Sequence, residues 1–187
     1  LKLRAEMISD PDQQARAVGD LDEMTILIED ALAVARGGSE QDRASVVDLT
    51  ELLHLLSTDH PSVELSVPDE PLILPGSPVA LRRLFTNLID NALRYGDKSP
   101  KVTAEARGDR VRITIDDDGP GIPLAERALV FEPFYRREQS RSRETGGTGL
   151  GLAIAKQIVD LHSGAIIMAD SPKGGLRVVV ELPSGID

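Results

Sequence analysis

The helix predicted after Ser77-Pro78 constrains the fold more than any other stretch of the sequence. Serine is a favoured N-cap and proline suits the first helical position, and apolar residues then recur at helical spacing up to Gly96. These residues are Leu81, Leu84, Phe85, Leu88, Ile89 and Ala92. We expect this helix to be the best packed of the chain.

Strands and shorter helices are predicted around it from alternating and helical apolar spacing. In chain order they are a strand at Val46-Val47, a helix at 49–56, strands at 63–67, 101–106 and 110–115, a helix at 149–162, and strands at 165–168 and 176–182. Gly108-Asp109 indicates a hairpin turn, and a long irregular stretch is expected from Gly119 to about Gly147. Because strands and helices do not alternate strictly, the pattern predicts an α+β sandwich.

The first 38 residues are predicted to form a separate helical segment. Asp10-Pro11-Asp12 is typical of a helix start, and a short heptad seam follows it. The seam consists of Val18, Leu21, Thr25, Ile28, Leu32 and Ala35. Because Gly37-Gly38-Ser39 suits a hinge, we favour residues 1–38 as part of a helical bundle and residues 39–187 as the main domain. A helix that packs on its own domain is the alternative.

The composition excludes several kinds of function. The 187 residues carry a formal net charge of −10, so the field of the molecule repels nucleic acid and anionic lipid, and any phosphate ligand has to be held locally. The absence of cysteine excludes disulfides, thiolate zinc sites and cysteine nucleophiles, and it fits a reducing cytoplasm. No apolar run approaches the roughly 20 residues that span a bilayer. The amphipathic beginning at Leu1 suggests a fragment of a longer protein.

The long predicted helix carries a polar edge. Asn87, Asn91, Arg94 and Tyr95 follow one another at steps of four, three and one residues, which places them on one side of the helix. A carboxamide oxygen is a hard ligand for Mg²⁺, arginine binds phosphate and tyrosine can flank a base. For any one of these residues, a solvated polar face is the simpler interpretation.

A second cluster, at residues 116–123, follows the strand that ends near Ile115 and has the sequence Asp-Asp-Asp-Gly-Pro-Gly-Ile-Pro. Its adjacent carboxylates must be solvated or individually paired. A carboxylate beside glycine backbone can accept a hydrogen bond from an exocyclic amine such as that of adenine. An ordinary acidic turn is the alternative, and a calcium loop is disfavoured because the twelve-residue ligand spacing is absent.

Two further clusters lie in and after the irregular stretch. Phe131, Phe134 and Tyr135 place aromatic side chains among polar ones, which indicates either docking or a small local core. Residues 146–152, Gly-Gly-Thr-Gly-Leu-Gly-Leu, run into a helix start, where backbone N–H groups and the helix dipole can hold phosphate. The P-loop and dinucleotide-binding interpretations fail because the Lys-Ser/Thr ending and the strand context are missing.

Taken in this order, the four clusters resemble the N box, first glycine box, F box and second glycine box of sensor histidine kinases. The resemblance spans about residues 44–183. It implies the Bergerat ATP-binding fold, a two-layer α/β sandwich that holds its nucleotide under a mobile lid. It also implies ATP and Mg²⁺ as ligands, and a kinase that transfers the γ-phosphate of ATP to a histidine for relay to an aspartate of a response regulator.

The resemblance assigns roles on the long helix first. Asn91 would hold Mg²⁺, Asn87 would lie beside the phosphates or the water shell of the metal, and Arg94 would contact phosphate. Tyr95 would line the adenine pocket.

The other three boxes carry over in the same way. Asp117 would accept the adenine amine, and Gly119 and Gly121 would allow the close approach. Phe131 and Phe134 match the F box of the lid. The residues of the second glycine box would meet the phosphates through their backbone: Gly147, Thr148, Gly149, Leu150 and Gly151.

The family's phosphorylated histidine has no counterpart in this sequence. It lies on the first dimerisation helix in a pattern like His-Glu-Leu-Arg-Thr-Pro-Leu, whereas His54, His60 and His162 all lie outside the helical segment. The acceptor is therefore expected upstream of Leu1, and the fragment is expected to bind ATP without phosphorylating itself normally. The resemblance further implies a homodimer through the bundle, an inner-membrane anchor in the parent protein, and a packing role for His162.

Two other functions stay open at this level. ATP hydrolases of the gyrase, mismatch-repair and heat-shock chaperone kinds resemble this chain, but they place the glutamate that polarises water where this chain has Asn87. A non-catalytic scaffold or anti-sigma-like binding module is the second alternative. Nucleotide binding and turnover distinguish all three.

Overall fold

The computed structural model describes residues 45–96, 99–135 and 149–184, together with Asp10 and residues 13–14. At Asp10 the predicted helix start is confirmed, because Asp10 Oδ1 accepts a hydrogen bond from the backbone N–H of Gln13 at 3.3 Å, as an N-cap does. The heptad seam and the predicted hinge lie outside the described residues.

Seven strands and three α-helices make up the described part of the chain. They are β1 (Val46–Asp48), α1 (Leu49–Asp59), β2 (Glu64–Ser66), β3 (Ile73–Pro75), α2 (Pro78–Tyr95), β4 (Lys101–Arg107), β5 (Arg110–Asp116), α3 (Gly151–Leu161), β6 (Ala165–Asp170) and β7 (Leu176–Pro183). The predicted helix after Ser77 is confirmed as α2, with the Ser77 side chain accepting from the N–H of Ala80.

The larger sheet has the strand order β2-β4-β5-β7-β6. Only the β2–β4 pair is parallel, and the hairpin predicted at Gly108-Asp109 joins β4 to β5. Strand β7 lies between β5 and β6, so Asp116 at the end of β5 pairs with Arg177 at the start of β7. Strands β1 and β3 form a separate two-stranded sheet. The α+β prediction is confirmed, and helices pack on the mixed sheet in two layers.

The core between these layers is aliphatic. Phe85 is its one fully buried aromatic residue within the described segments, beside leucines and isoleucines of α1, α2, β3 and β5. Helices α2 and α3 pack against each other. His162 reinforces this packing, because its Nδ1 donates to the Ile158 carbonyl (2.8 Å) and its Nε2 accepts from the N–H of Ser77 (3.3 Å). The two bonds connect the end of α3 to the N-cap of α2.

Two details differ from the sequence prediction. Strand β3 was not predicted, because it has only three residues, Ile73 to Pro75, which are too few to show alternation. It also follows Pro71 closely and ends in a second proline. The stretch expected to be irregular from Gly119 contains two short 3₁₀-helices, Leu124–Glu126 and Leu129–Phe131, which bury Val130. Residues 136–148 of that stretch lie outside the described residues.

Candidate functional site

The polar edge of α2 contains an amide that lacks a partner. Asn87 is half-buried, and its Nδ2 is shielded from solvent with no hydrogen-bond acceptor among the described residues. Such a group costs about 1–3 kcal/mol unless a ligand or water satisfies it. One turn further on, Asn91 is also half-buried, whereas Arg94 and Tyr95 are exposed at the end of the helix, Tyr95 by 48%.

The glycine-rich turn before α3 lies against this edge. A Cβ atom added to Gly151 would lie 3.8 Å from Asn87 Cγ and 3.9 Å from Asn87 Oδ1. No side-chain hydrogen bond caps the N-terminus of α3 in the described part of the chain, and its first residue, Gly151, lies beside the Asn87 side chain. The positive end of the helix dipole is therefore close to Asn87. The structure therefore brings the first and fourth clusters together. Gly147 and Thr148 lie outside the described residues.

Asp117 is a nearly buried carboxylate that backbone N–H groups hold in place. It is 5% exposed, and its Oδ1 accepts hydrogen bonds from the N–H groups of Gly119 and Leu176, both at 2.9 Å. The Asp117 N–H in turn donates to the Leu176 carbonyl at 3.0 Å. Within the described residues no donor contacts Oδ2, which leaves that oxygen as an acceptor for a ligand.

Burial raises the pKa of the Asp117 carboxyl above its ordinary value, against the lowering effect of its two backbone hydrogen bonds, and the neighbouring Asp118 and Asp116 charges raise the pKa further. The charged form of Asp117 is thus destabilised in the absence of a ligand. A donor from a bound molecule would compensate for that cost.

The other two carboxylates of the cluster differ from Asp117. Asp116 is 4% exposed and forms a two-point ion pair with Arg177, Nε to Oδ1 and Nη2 to Oδ2, each at 2.8 Å. Asp118 is half-buried. Of the two expected arrangements, solvation or individual pairing, the second is found at Asp116, which pairs with a cation, and at Asp117, which pairs with backbone N–H groups.

Glycine at three positions allows the backbone around Asp117 to approach it. A Cβ at Gly119 would lie 2.4 Å from the Tyr95 carbonyl oxygen, so this turn packs directly on the end of α2. Gly121 adopts a φ of +65°, which favours glycine. Gly175 was not predicted: a Cβ there would lie 2.3 Å from Asp117 Oδ1 and 2.4 Å from the Gly119 nitrogen. Gly175 is close to Asp117 only because β7 pairs with β5, and no local sequence pattern predicts that pairing.

The F-box aromatics lie beside the start of the glycine-rich turn. The Phe134 N–H donates to the Gly149 carbonyl at 3.0 Å, and a Cβ at Gly149 would lie 3.0 Å from the Phe134 carbonyl carbon. Both residues have positive φ, +65° for Phe134 and +72° for Gly149. Phe131 packs against the core, whereas Phe134 is 67% exposed. The local-core interpretation therefore fits Phe131, and Phe134 remains available for docking.

The predicted site residues lie apart from a cleft elsewhere in the described structure. A cleft of about 550 Å³ lies along the end of β4 and is lined by residues such as Val67, Pro68 and Ala106, with none of the predicted site residues. Within the described ranges no cluster of three or more histidine, cysteine, aspartate or glutamate side chains could hold a metal ion. No helix there is long and apolar enough to cross a membrane.

The donor set around Asn87 and Asn91 agrees with a metal that is held largely by a ligand's phosphates. Mg²⁺ usually keeps several waters and binds through one or two protein oxygens together with substrate phosphates. Two carboxamides, one of them with a buried Nδ2 that has no acceptor among the described residues, and a helix N-terminus are chemically suited to such a ligand and poorly suited to a free cation.

Comparisons with known proteins identify the family. The model of the "Histidine kinase-, DNA gyrase B-, and HSP90-like ATPase" family matches residues 76–186. Over 122 residues, 65% of this chain and 27% of the relative, the chain is 44% identical to sensor histidine kinase CpxA of Escherichia coli K12. It is 36% identical to sensor histidine kinase GtrS of Pseudomonas aeruginosa, covering 98% of this chain and 38% of that protein. The chain thus spans well under half the length of these curated relatives.

A solved structure agrees with this result. The ATP binding domain of PrrB from Mycobacterium tuberculosis superimposes with a TM-score of 0.60 at 34% identity, covering 76% of this chain and 98% of that domain. The region matched by the family model, residues 76–186, contains α2, the Asp117 turn, α3 and strands β4 to β7. The chain belongs to the histidine kinase-, DNA gyrase B- and HSP90-like ATPase family, and within it to the ATP-binding domains of sensor histidine kinases.

Proposed function

We propose that the chain binds Mg–ATP between α2, the Asp117 turn and the glycine-rich turn before α3, and that it serves as the phosphoryl donor domain of a histidine kinase. The observation that carries this proposal is the Asn87 side chain: its Nδ2 is buried with no acceptor among the described residues, and its Cγ and Oδ1 lie beside Gly151 at the N-terminus of α3. An amide donor without an acceptor and a nearby helix N-terminus both favour an anionic group.

In this proposal the phosphates lie at that junction. The carboxamide oxygen of Asn91 is the Mg²⁺ ligand, with Asn87 beside the phosphates or the metal's water shell and Arg94 as a phosphate contact. Backbone N–H groups of residues 147–151 complete the phosphate site. Mg²⁺, when bound, neutralises charge on the phosphate oxygens.

In this proposal the adenine ring lies near the C-terminal end of α2, at Tyr95. Asp117 accepts the exocyclic amine through Oδ2, because its Oδ1 already accepts two backbone N–H groups. Tyr95 flanks the base, and Gly119 and Gly121 leave room for the ring. The unfavourable ionisation of the buried Asp117 carboxyl supports this role, since a ligand donor would stabilise its charge.

Phosphoryl transfer follows from this placement. A histidine imidazole nitrogen attacks the γ-phosphorus in line, the bond from the phosphorus to the β,γ-bridging oxygen breaks, and ADP leaves. Positioning and charge neutralisation supply most of the catalysis in such reactions. His162 does not serve as the acceptor in this proposal, because both of its ring nitrogens are engaged in hydrogen bonds. The imidazole comes from the dimerisation helix of the whole protein.

The remaining assignments concern the whole protein. Residues 1–38 form part of a dimerisation segment, the whole protein is a homodimer anchored in the bacterial inner membrane, and the phosphoryl group passes to the receiver domain of a response regulator. Phe131 and Phe134 belong to the segment that closes over the nucleotide. The support for these roles is the resemblance to sensor histidine kinases, the class named for two relatives of the chain.

The test is transfer of labelled phosphate to a supplied acceptor. The chain would be mixed with γ-labelled Mg–ATP and the isolated dimerisation domain of CpxA, and the label on the acceptor and the free phosphate would both be measured. The proposal predicts label on the acceptor that is stable in alkali and lost in acid, as phosphohistidine is. Release of inorganic phosphate with no labelled acceptor would indicate a hydrolase instead, and absence of nucleotide binding would indicate a scaffold.

A further inference from the structure

The turn between β6 and β7 forms a wall of the Asp117 site. The N–H of Ser171 donates to the Gly175 carbonyl and the N–H of Gly174 to the Ser171 carbonyl, both at 2.9 Å, which closes a compact turn. Gly175 at the end of this turn touches Asp117, and the next residue, Leu176, donates its N–H to Asp117 Oδ1. The turn therefore helps to position the Asp117 carboxylate, together with the Gly119 N–H.

Lys173 ties this turn to the opposite side of the site. It lies at the tip of the turn, and its Nζ donates to the Ser99 carbonyl at 2.8 Å and lies 3.5 Å from Glu64 Oε2. Its own N–H donates to the Ser171 side chain at 3.1 Å. Lys173 lies on an exposed turn and its side chain is 28% exposed, so these contacts lie at the surface beside the turn.

Ser99 belongs to the connection that leads from α2 to β4. Tyr95 at the end of α2 contacts the Asp117 turn through Gly119, and Pro100, next to Ser99, accepts the Glu64 N–H at the start of β2 (2.9 Å). A single ammonium group thus joins the turn that holds Asp117 to the segment that continues from the Tyr95 end of α2. If the contact between Lys173 and Ser99 were lost, the distance between the turn that holds Asp117 and the Tyr95 end of α2 would change. In the proposed site the base lies between these two segments.

We propose that Lys173 is a positioning residue for adenine recognition: by holding the β6–β7 turn against Ser99, it keeps the Asp117 carboxylate in place for the exocyclic amine. The inference rests on the proposed role of Asp117 as the adenine acceptor. Lys173 touches neither phosphate nor metal in this arrangement, so its effect is confined to the base. The binding of the triphosphate moiety is independent of it.

The test compares two ligands that differ only at the amine. Dissociation constants for Mg–ATP and for the triphosphate of purine riboside, which has a hydrogen in place of the 6-amino group, would be measured for the wild-type chain, Lys173→Met and Lys173→Arg. Lys156→Met serves as a matched control, because Lys156 also pairs with a carboxylate, that of Asp160, but on the exposed side of α3.

For Lys173→Met the proposal predicts a loss of about threefold to tenfold in the preference for ATP, as expected for one misplaced hydrogen bond, with unchanged affinity for the purine riboside ligand. Lys173→Arg restores most of the preference and Lys156→Met retains it. Hydrogen exchange of the Leu176 amide, which is faster in Lys173→Met if the turn moves, reports the displacement directly.

Three results would overturn the inference, and they can be told apart. If the wild-type chain prefers ATP, Asp117→Asn abolishes that preference and Lys173→Met keeps it, the inference alone is wrong. If the wild-type chain binds both ligands equally, Asp117 does not read the amine, and the proposed base site is wrong as well. A parallel loss of affinity for both ligands in Lys173→Met, with a lowered melting temperature, would show a merely structural role and would likewise contradict the inference.

Discussion

Asp117 is held in surroundings that disfavour its charge. A nearly buried carboxylate with two backbone donors on one oxygen and none of the described donors on the other is more costly to the free protein than to a complex that supplies a donor. A binding group of this kind lowers the stability of the free protein but strengthens the binding of its ligand. A substitution that removes the charge should therefore reveal both effects.

Asp117→Asn should separate stability from binding. Asparagine keeps an oxygen for the two backbone N–H groups but carries no charge, so it resembles the protonated acid. Burial raises the pKa of Asp117 in the folded state. The free energy of unfolding of the wild-type chain should therefore fall, relative to that of the variant, as pH rises from the ordinary aspartate pKa to the raised folded pKa. At higher pH the difference should stay constant. Urea unfolding at several pH values measures this.

The same variant should bind ATP about tenfold to a hundredfold more weakly, the usual worth of a hydrogen bond to a charged group. Isothermal titration at pH 7 gives the affinity. A variant that is less stable than wild type at pH 7, or that binds ATP equally well, would contradict the account of Asp117.

Asn91→Ala tests the metal ligand. Loss of a carboxamide oxygen should weaken ATP binding in the presence of Mg²⁺ by about tenfold or more, since even outer-shell partners of metals are worth about 10–100-fold. Binding measured in EDTA should change little. The exposed neighbour Asp90, substituted by asparagine, is the matched control. An equal loss with and without Mg²⁺ would show that Asn91 contacts the nucleotide in some other way.

At the scale of elements, the site depends on pairings that bring distant segments together. The β5–β7 ladder places Gly175 against Asp117, and the contact of α2 with α3 places Asn87 against Gly151. Each half of the site therefore combines two segments that are distant in the sequence.

Gly175→Ala should therefore damage the site more than an ordinary glycine substitution. The added methyl group would collide with Asp117 Oδ1 and force the turn and β5 apart. We expect ATP affinity to fall about tenfold or more, comparable with losing the Asp117 hydrogen bond itself. Gly108→Ala is the control: its Cβ would meet no atom within 4 Å, and only its φ of +62° adds strain. Equal affinities in the two variants would exclude a role for Gly175.

His162→Leu should affect the packing of helices and leave the site intact. The change removes both imidazole hydrogen bonds and leaves the Ser77 N–H unsatisfied, at a cost of about 1–3 kcal/mol in unfolding free energy. The imidazole lies at the far end of α3 from Gly151, about 15 Å along the helix axis. Thermal unfolding should show the loss while the affinity for Mg–ATP stays unchanged, and a large loss of affinity would argue against a packing role.

The elements that the sequence predicts well are those with a strong local signal. Helix α2 has six apolar residues at helical spacing and the β4–β5 hairpin has a two-residue turn, and both are confirmed. Strand β3 is too short for its alternation to be read, and Gly175 and Lys173 depend on the strand order, which local patterns do not encode. The resemblance to kinase boxes supplied the site residues on α2 and at Asp117, and the structure added the β6–β7 turn that holds Asp117.

For the whole molecule, a net charge of −10 and a polyphosphate ligand are compatible only if the phosphates are held by local groups. The described structure offers such groups where the Asn87 amide on α2 lies beside the N-terminus of α3, with the Asp117 turn at the end of α2. The account therefore depends on a nucleotide with its metal occupying that place.

Calorimetric titration of the folded chain with ATP in the presence of Mg²⁺ tests this most directly. The account predicts one saturable site per chain, with affinity lowered by removal of Mg²⁺ and by Asp117→Asn. A chain that unfolds cooperatively on heating, yet gives no heat of binding with Mg–ATP, would contradict it.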